Sequence, residues 1–172
     1  MKTLNKIFII SILLLAGSKG LAQSIARAGA TASVITPITI SKVTDMNFGN
    51  VAVASGTGGS VILTTSDTRS AGGSGGVTLP STAGTVAAAA FTVSGAPGFT
   101  YGITLPSSCT LTDGSSHTMT VSSFVSAPSA SGTLSSGGSQ TLKVSATMNV
   151  AAAQVPGSYT NSSAVPVTVN YN

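Results

Sequence analysis

Apolar and polar side chains alternate along much of the chain with a period of two residues. The clearest run is residues 141–150, where every second side chain from Leu142 to Val150 is apolar and the side chains between them are polar. This alternation is typical of a β-strand with one face in a core and the other in water. No stretch shows an apolar helical repeat with capping residues. We therefore expect an all-β protein in which residues 141–150 form a central strand.

The last residues of the chain show the same alternation. Val165, Val167, Val169 and Tyr171 occupy one phase, while Pro166 and polar side chains occupy the other. A chain terminus usually frays unless it is held as a strand or as a docked helix. We therefore expect a C-terminal strand that pairs with neighbours inside the fold.

Shorter alternating runs, separated by Gly, Ser, Asn and Pro, fill the remaining sequence. About nine or ten strands at intervals of roughly a dozen residues predict two packed sheets, as in an immunoglobulin-like sandwich, rather than a barrel with a lumen. The clearest predicted strands are residues 32–40, 46–54, 60–65, 77–80, 85–94, 99–105, 118–125, 141–150 and 165–171.

The glycine-rich stretch Ser66–Gly76 interrupts this pattern. Fixing such a segment is entropically costly, so we expect an exposed and mobile loop. Its glycines lack the Lys-Ser or Lys-Thr ending of a phosphate-binding loop and carry no specific signal. A role in recognition is the alternative, with Asp67, Arg69, Gly72 and Gly73 as the candidate residues.

Residues 1–22 have the pattern of a secretory signal peptide. Basic side chains precede an apolar run at residues 7–15, and a small-x-small cleavage site ends at Ala22. The apolar run is shorter than the roughly 20 residues that span a bilayer. We expect an exported protein in the periplasm, on the cell surface or outside the cell. It would consist of one domain, residues 23–172, in which residues 23–31 form a flexible extension, with no membrane span after cleavage.

Charge is scarce, and this excludes one class of partner. Only 6% of the residues are Asp, Glu, Lys or Arg, against about 25% in an ordinary soluble domain. The formal net charge is +4, but three of the lysines lie in the predicted signal peptide. Beyond residue 22, the chain has four Lys or Arg side chains and three Asp side chains. Because nucleic-acid binding needs clustered basic side chains, we expect no nucleic-acid partner.

The sequence contains no Glu and has a single histidine and a single cysteine. A Ser-His-Asp site would need Ser115 or Ser116 to meet His117 and Asp113, and residues this close along one hairpin rarely point together. Zinc needs three or four ligands, and Cys109 with His117 does not make such a site. We expect a non-enzymatic protein without a cofactor or a metal. An enzyme would need its scarce titratable side chains to converge after folding: Asp45, Asp67, Asp113 and His117.

Several motifs together resemble an exported bacterial β-sandwich family known only as a domain of unknown function. The resemblance extends over most of residues 23–172. It implies a secreted sandwich and no particular activity. The motifs are Ile-Thr-Pro-Ile-Thr-Ile at 35–40, Met-Asn-Phe-Gly-Asn-Val at 46–51, Gly-Thr-Leu at 132–134, Thr-Leu-Lys-Val at 141–144, Gln-x-x-Gly-x-Tyr at 154–159 and Val-Thr-Val-Asn-Tyr at 167–171.

The C-terminal pattern is also similar, more distantly, to subunits of chaperone-usher pili, including the spore-coat-U-like branch. Such subunits end in an alternating apolar strand with a penultimate aromatic side chain and an earlier glycine, here Gly157. The resemblance implies that the last strand binds a periplasmic chaperone and that an N-terminal extension of the next subunit completes the sandwich by strand addition. The candidate assembly strand is Val165, Val167, Val169 and Tyr171.

Two functions remain open at this point. The first is a structural subunit of a surface fibre, pilus or coat, whose partners are further copies of itself and a periplasmic chaperone. The second is a secreted or surface binding module that recognises a glycan or a protein. For the first function, residues 23–32 are the candidate donor segment, with Val34 and Ile38 adding apolar area. Whether the first strand completes its own sandwich or a neighbour's is left undecided.

Overall fold

The computed structural model describes residues 23–163 and 165–172, and all regular secondary structure in this part of the chain is β-strand. The chain divides into two units, residues 1–34 and 35–172. In the first unit, residues 23–34 are exposed and form neither helix nor strand; the predicted signal peptide lies outside the described residues. The strands are β1 Thr39–Thr44, β2 Ala52–Val53, β3 Gly59–Leu63, β4 Arg69–Gly72, β5 Val77–Thr78, β6 Ala89–Ser94, β7 Thr100–Thr104, β8 Ser108–Thr112, β9 Thr118–Ala127, β10 Ser131–Thr133, β11 Ser139–Val150 and β12 Thr168–Tyr171.

The long strand β11 lies at the centre of a seven-stranded sheet. Its first half, residues 139–144, pairs with β6, and its second half, residues 147–150, pairs with β3. Strand β9 pairs with residues 143–149 of β11 and therefore lies on the edge of β11 opposite to β6 and β3. Strands β6 and β3 thus lie end to end along one edge of β11. The sheet is completed by β1 beside β6, β4 beside β3 and β8 beside β9.

A second layer covers the inner face of this sheet in two pieces. The three-stranded sheet β10-β7-β12 contributes Tyr101 and Val169 to a core cluster with Leu142 and Val144 of β11. The two-stranded sheet β2-β5 contributes Val77 to a second cluster built on the other half of β11. Full burial of one such side chain stabilises the fold by about 1.5–3 kcal/mol. The prediction of an all-β fold with packed sheets is confirmed, and an immunoglobulin-like arrangement stays a prediction.

The predicted alternation along β11 is confirmed with one exception. The five inward side chains from Leu142 to Val150 are all buried, none more than 5% exposed. Ser145 occupies the predicted outward phase but is also fully buried, and its hydroxyl has no partner among the described residues. The register between β11 and β9 shifts beside it, near Ser123, whose φ is 54°. Such a bulge changes the local side-chain direction, which period-two counting cannot anticipate.

Two predicted segments are wrong in extent. The first strand begins at Thr39 rather than residue 32, and Val34 is fully exposed. Pro37 has no N–H to donate to a ladder, which agrees with a strand that starts after it. The predicted loop Ser66–Gly76 contains strand β4, which pairs with β3 in a hairpin. Its small side chains conceal the strand, since Gly and Ala are depleted in strands.

The C-terminal strand forms as predicted, and its alternation is confirmed. Val165, Val167 and Tyr171 are partly buried, Val169 is buried, and the residues between them are exposed. The Tyr171 hydroxyl accepts the Ala96 N–H at 2.6 Å and donates to the Thr36 carbonyl at 2.8 Å. These two bonds fix the end of the chain.

Replacing Tyr171 with Phe should lower the free energy of unfolding by about 1–3 kcal/mol, because two hydrogen bonds are lost while the ring is kept. Denaturant unfolding measures the change. Tyr159→Phe is the matched control: its hydroxyl also makes two hydrogen bonds among the described residues, but both lie within its own loop and tie no distant segments together, so its loss should be smaller. Equal losses in the two variants would contradict a special role for the Tyr171 contacts.

Replacing Ser145 with Ala should raise the free energy of unfolding by about 1 kcal/mol, because it removes a buried hydroxyl without a partner. Thermal or denaturant unfolding tests this expectation. Ser139→Ala makes the same chemical change at an exposed position of β11 and should alter stability by less than about 0.5 kcal/mol. A destabilised Ser145→Ala protein would show that the hydroxyl is bonded after all.

Candidate functional site

A groove of about 1180 Å³ opens where the two pieces of the second layer meet. Its walls are residues 44–51 and residues 157–163. The floor is the inner face of the seven-stranded sheet and draws on both core clusters. The volume exceeds the roughly 300–1,000 Å³ of a typical small-molecule pocket. The floor side chains are Phe91, Cys109, Leu111, Met119, Val121 and Met148.

Strand β1 borders this groove, and so does the segment that leads into β12. Lys42 and Thr44 of β1 line it, as do Val165 and Pro166, which lead into β12. Among the described residues, β1 pairs only with β6 and β12 only with β7. Each strand therefore has one edge without a neighbouring strand. An unpaired edge presents N–H and C=O groups to which another chain can bind.

The hydrogen-bond pattern identifies which groups of β12 face its free edge. The Asn172 N–H donates to the Thr100 carbonyl on β7. Hydrogen-bonded and non-bonded positions alternate in an antiparallel pair, so Asn170 also faces β7, where its partner is Gly102. The N–H and C=O groups of Val169 and Tyr171 consequently point away from β7.

Arg69, a candidate recognition residue, instead supports one wall of the groove. Its guanidinium group donates to the carbonyls of Phe48 and Asn50, the latter at 2.8 Å. Gly49 lies between these carbonyls with a φ of 70°, a conformation that glycine adopts without strain. The guanidinium group holds this wall segment in place.

The other candidate recognition residues are also part of the framework. Asp67 accepts the Ala88 N–H at 2.9 Å and pairs with Lys143. The hydrogen bond from Lys143 is the main cause that lowers the pKa of this carboxyl below its ordinary value. Gly72 belongs to β4, and Gly73 follows it with a φ of 77°. The structure does not gather these four residues into one exposed surface, and a recognition role for them stays a prediction.

Asp113 and His117 point together, contrary to the expectation for residues this close along one hairpin. The His117 Nδ1 atom lies 2.6 Å from the Asp113 carboxylate, across the turn between β8 and β9. The same carboxylate accepts the N–H groups of Ser115 and His117. The bond to the His117 side chain, followed by the Ser115 N–H, lowers the pKa of Asp113 to about 2. The pair closes the hairpin turn.

The acidic side chains do not converge on one site. Asp45 pairs with Lys42 at 2.7 Å, while Asp67 and Asp113 have the separate partners described above. Within the described ranges, no group of three His, Cys, Asp or Glu side chains is placed to hold a metal ion. The same part of the chain contains no helix capable of spanning a membrane.

The sequence pattern gave no direct indication of the groove, since its walls carry little regular structure. Two of the sequence motifs nevertheless supply residues of its walls. Residues 46–51 lie on one wall, and Gly157 and Tyr159 of the second motif lie on the other. Both motifs therefore belong to one surface feature.

Asp113→Asn should destabilise the protein above about pH 4 and have little effect near pH 2. The carboxylate has a folded-state pKa of about 2, below its ordinary 3.8, so its stabilisation is present above the ordinary pKa and is lost as the pH falls through the folded value. Unfolding of both proteins between pH 2 and pH 6 measures the difference. Asp45→Asn is the control, because that carboxylate is 74% exposed. A difference that does not change with pH would contradict the assignment.

A family model described as a domain of unknown function (DUF4402) matches residues 38–171. Searches of curated proteins and of solved structures found no match. The matched range contains all the described strands and both walls of the groove. The chain therefore belongs to the family described as a domain of unknown function (DUF4402).

Proposed function

We propose that this protein is an exported, non-enzymatic structural subunit of a surface fibre, pilus or coat, and that copies assemble by β-strand addition. The observations that carry the proposal are the unpaired edge of β12 and the groove that begins at the segment leading into β12, whose apolar floor continues into the core. A strand seated there would cover the floor with alternate side chains and pair with a free edge at the same time.

Strand β12 offers the backbone groups that such a strand needs. The N–H and C=O groups of Val169 and Tyr171 face its free edge, as the pairing with β7 requires. Main-chain hydrogen bonds supply affinity in strand addition, and pockets for alternate side chains supply specificity. An added strand at β12 would extend the β10-β7-β12 sheet by one strand.

The candidate donor is the N-terminal segment of a second copy. Residues 23–34 are exposed and contain neither helix nor strand, and Val34 is fully exposed. In an extended form these residues would span about 40 Å. Alanine side chains bury little apolar area, so the main-chain pairing and Val34 would contribute most of the binding. The side chains on one phase are Ala26, Ala28, Ala30, Ala32 and Val34.

Export and a periplasmic chaperone complete the proposal. The signal-peptide pattern of residues 1–22 supports a location in the periplasm, on the cell surface or outside the cell. Before assembly, a chaperone strand would protect the same edge of β12 from uncontrolled pairing. The alternative of a binding module has less support, since the side chains of Asp67 and Arg69 make internal contacts.

Charges placed on the two phases of the donor segment test the proposal. Ala28→Asp with Ala30→Asp puts two carboxylates on the phase that carries Val34, whereas Gly29→Asp with Thr31→Asp puts the same charges on the opposite phase. Burying an unpaired carboxylate is costly, so the first pair should abolish assembly and the second should preserve it. The readout is an unboiled denaturing gel of material sheared from cells.

The unaltered chain should give a ladder that collapses on boiling to a single band. A monomer band in both lanes for the unaltered chain would contradict the proposal. A ladder that neither pair of substitutions changes would contradict the choice of donor.

A further inference from the structure

All sulfur-bearing side chains beyond Met1 line the same groove. The chain contains one cysteine and four methionines. Cys109, Met119 and Met148 lie on the floor, and Met46 lies on the wall opposite them. We call these four residues the sulfur cluster.

The pairing of three strands brings the floor members together. Val121 of β9 is the register partner of Cys109 on β8 and of Met148 on β11. Register partners direct their side chains to the same face, so Cys109 and Met148 flank Val121. Met119 precedes Val121 by two residues on that face and is a diagonal neighbour of both, at a Cα separation of about 7–8 Å. Cys109 and Met148 are two strand spacings apart, about 9–10 Å between their Cα atoms, so the longer side chains of Met119 and Met148 would have to bend over Val121 towards the thiol.

The fourth member approaches from the other layer. Met46 is partly buried and packs against both core clusters. It precedes Asn47, which is held by a pair of backbone hydrogen bonds to Ala87 at 2.8 and 2.9 Å. The cluster therefore has three members on a rigid sheet and one on a fixed wall segment.

Thiolate and thioether sulfur atoms are soft ligands that select Cu(I) over harder divalent ions. We propose that the sulfur cluster is a binding site for Cu(I), with Cys109, Met119 and Met148 as ligands and Met46 as a fourth. This inference departs from the expectation of no metal site, which considered only histidine, cysteine and carboxylate ligands. It does not rest on the proposed assembly function, although the site lies on the groove floor that a donor strand would cover.

Binding requires no redox step. The Cys109 thiol gives its proton to solvent as the sulfur–copper bond forms, the thioethers donate lone pairs, and copper stays in the +1 state. Burial raises the pKa of the Cys109 thiol, so the thiol is protonated at neutral pH and the ion must displace the proton. Affinity should consequently increase with pH.

Ordinary core packing is the competing explanation, because methionine and cysteine are common core residues. It makes a different prediction for substitution by leucine. Leu and Met have similar volumes, so Met119→Leu with Met148→Leu should keep the packing. A lower ion affinity in this variant than in the unaltered chain would therefore show that the ion binds the thioethers.

Titration of the full chain with Ag(I), a redox-stable ion of the same charge and softness, and with Cu(I) against a chromophoric chelator tests the site. We expect one ion per chain. Affinity should be at least about tenfold weaker in the double leucine variant and in Cys109→Ala, since even the loss of outer-shell partners costs that much. Val144→Ala, which destabilises the core but keeps all four sulfur atoms, should bind like the unaltered chain.

Two results would overturn the inference. Absence of stoichiometric binding by the folded chain is the first. The second is unchanged affinity in the double leucine variant, because the ion would then be bound by the Cys109 thiol without the methionines.

Discussion

The period-two pattern of β11 is the constraint on which the rest of the structure depends. Its inward side chains belong to two core clusters, Leu142 and Val144 to one and Ala146, Met148 and Val150 to the other. A single strand of twelve residues thus runs beneath both pieces of the second layer. A one-residue slip in its register would turn this whole row out of the core, so the register fixes both halves of the fold.

The groove follows from the same arrangement. Strands β6 and β3 lie end to end along β11, and each half has its own cover. Where the covers meet, the wall segments 44–51 and 157–163 replace regular strands. Phe91 from one cluster and Met148 from the other then share the floor. The groove therefore opens above both clusters, next to β1 and to the segment that leads into β12, and this position is why it enters the proposed assembly.

Strong alternation made part of this structure predictable. Strands β11 and β12 follow clear apolar rows that predict their positions, and β9 follows one up to its bulge. Strand β8 is missing from the clearest predicted strands, because its inward row consists of only two apolar side chains, Cys109 and Leu111. Strand β4 was hidden by Ser, Ala and Gly. Local patterns report which face is apolar, whereas the pairing of β4 with β3 depends on tertiary contacts that no local pattern contains.

The candidate site was less predictable than the fold. The C-terminal alternation located β12, but its free edge depends on which strand pairs with it. The contact between Asp113 and His117 arises from the geometry of a tight turn that sequence spacing does not give. The sulfur cluster brings together residues from distant parts of the chain, and only the registers of β8, β9 and β11 make them neighbours.

Amide hydrogen exchange along β12 tests most directly whether its edge is open in the subunit and filled in the assembly. The comparison is between the isolated chain and material recovered from cell surfaces. We predict fast exchange at Val169 and Tyr171 in the isolated chain, slow exchange in assembled material, and similar protection in both for Asn170, which pairs with Gly102. Equal protection of Val169, Asn170 and Tyr171 in the isolated chain, or no gain on assembly, would contradict the open edge.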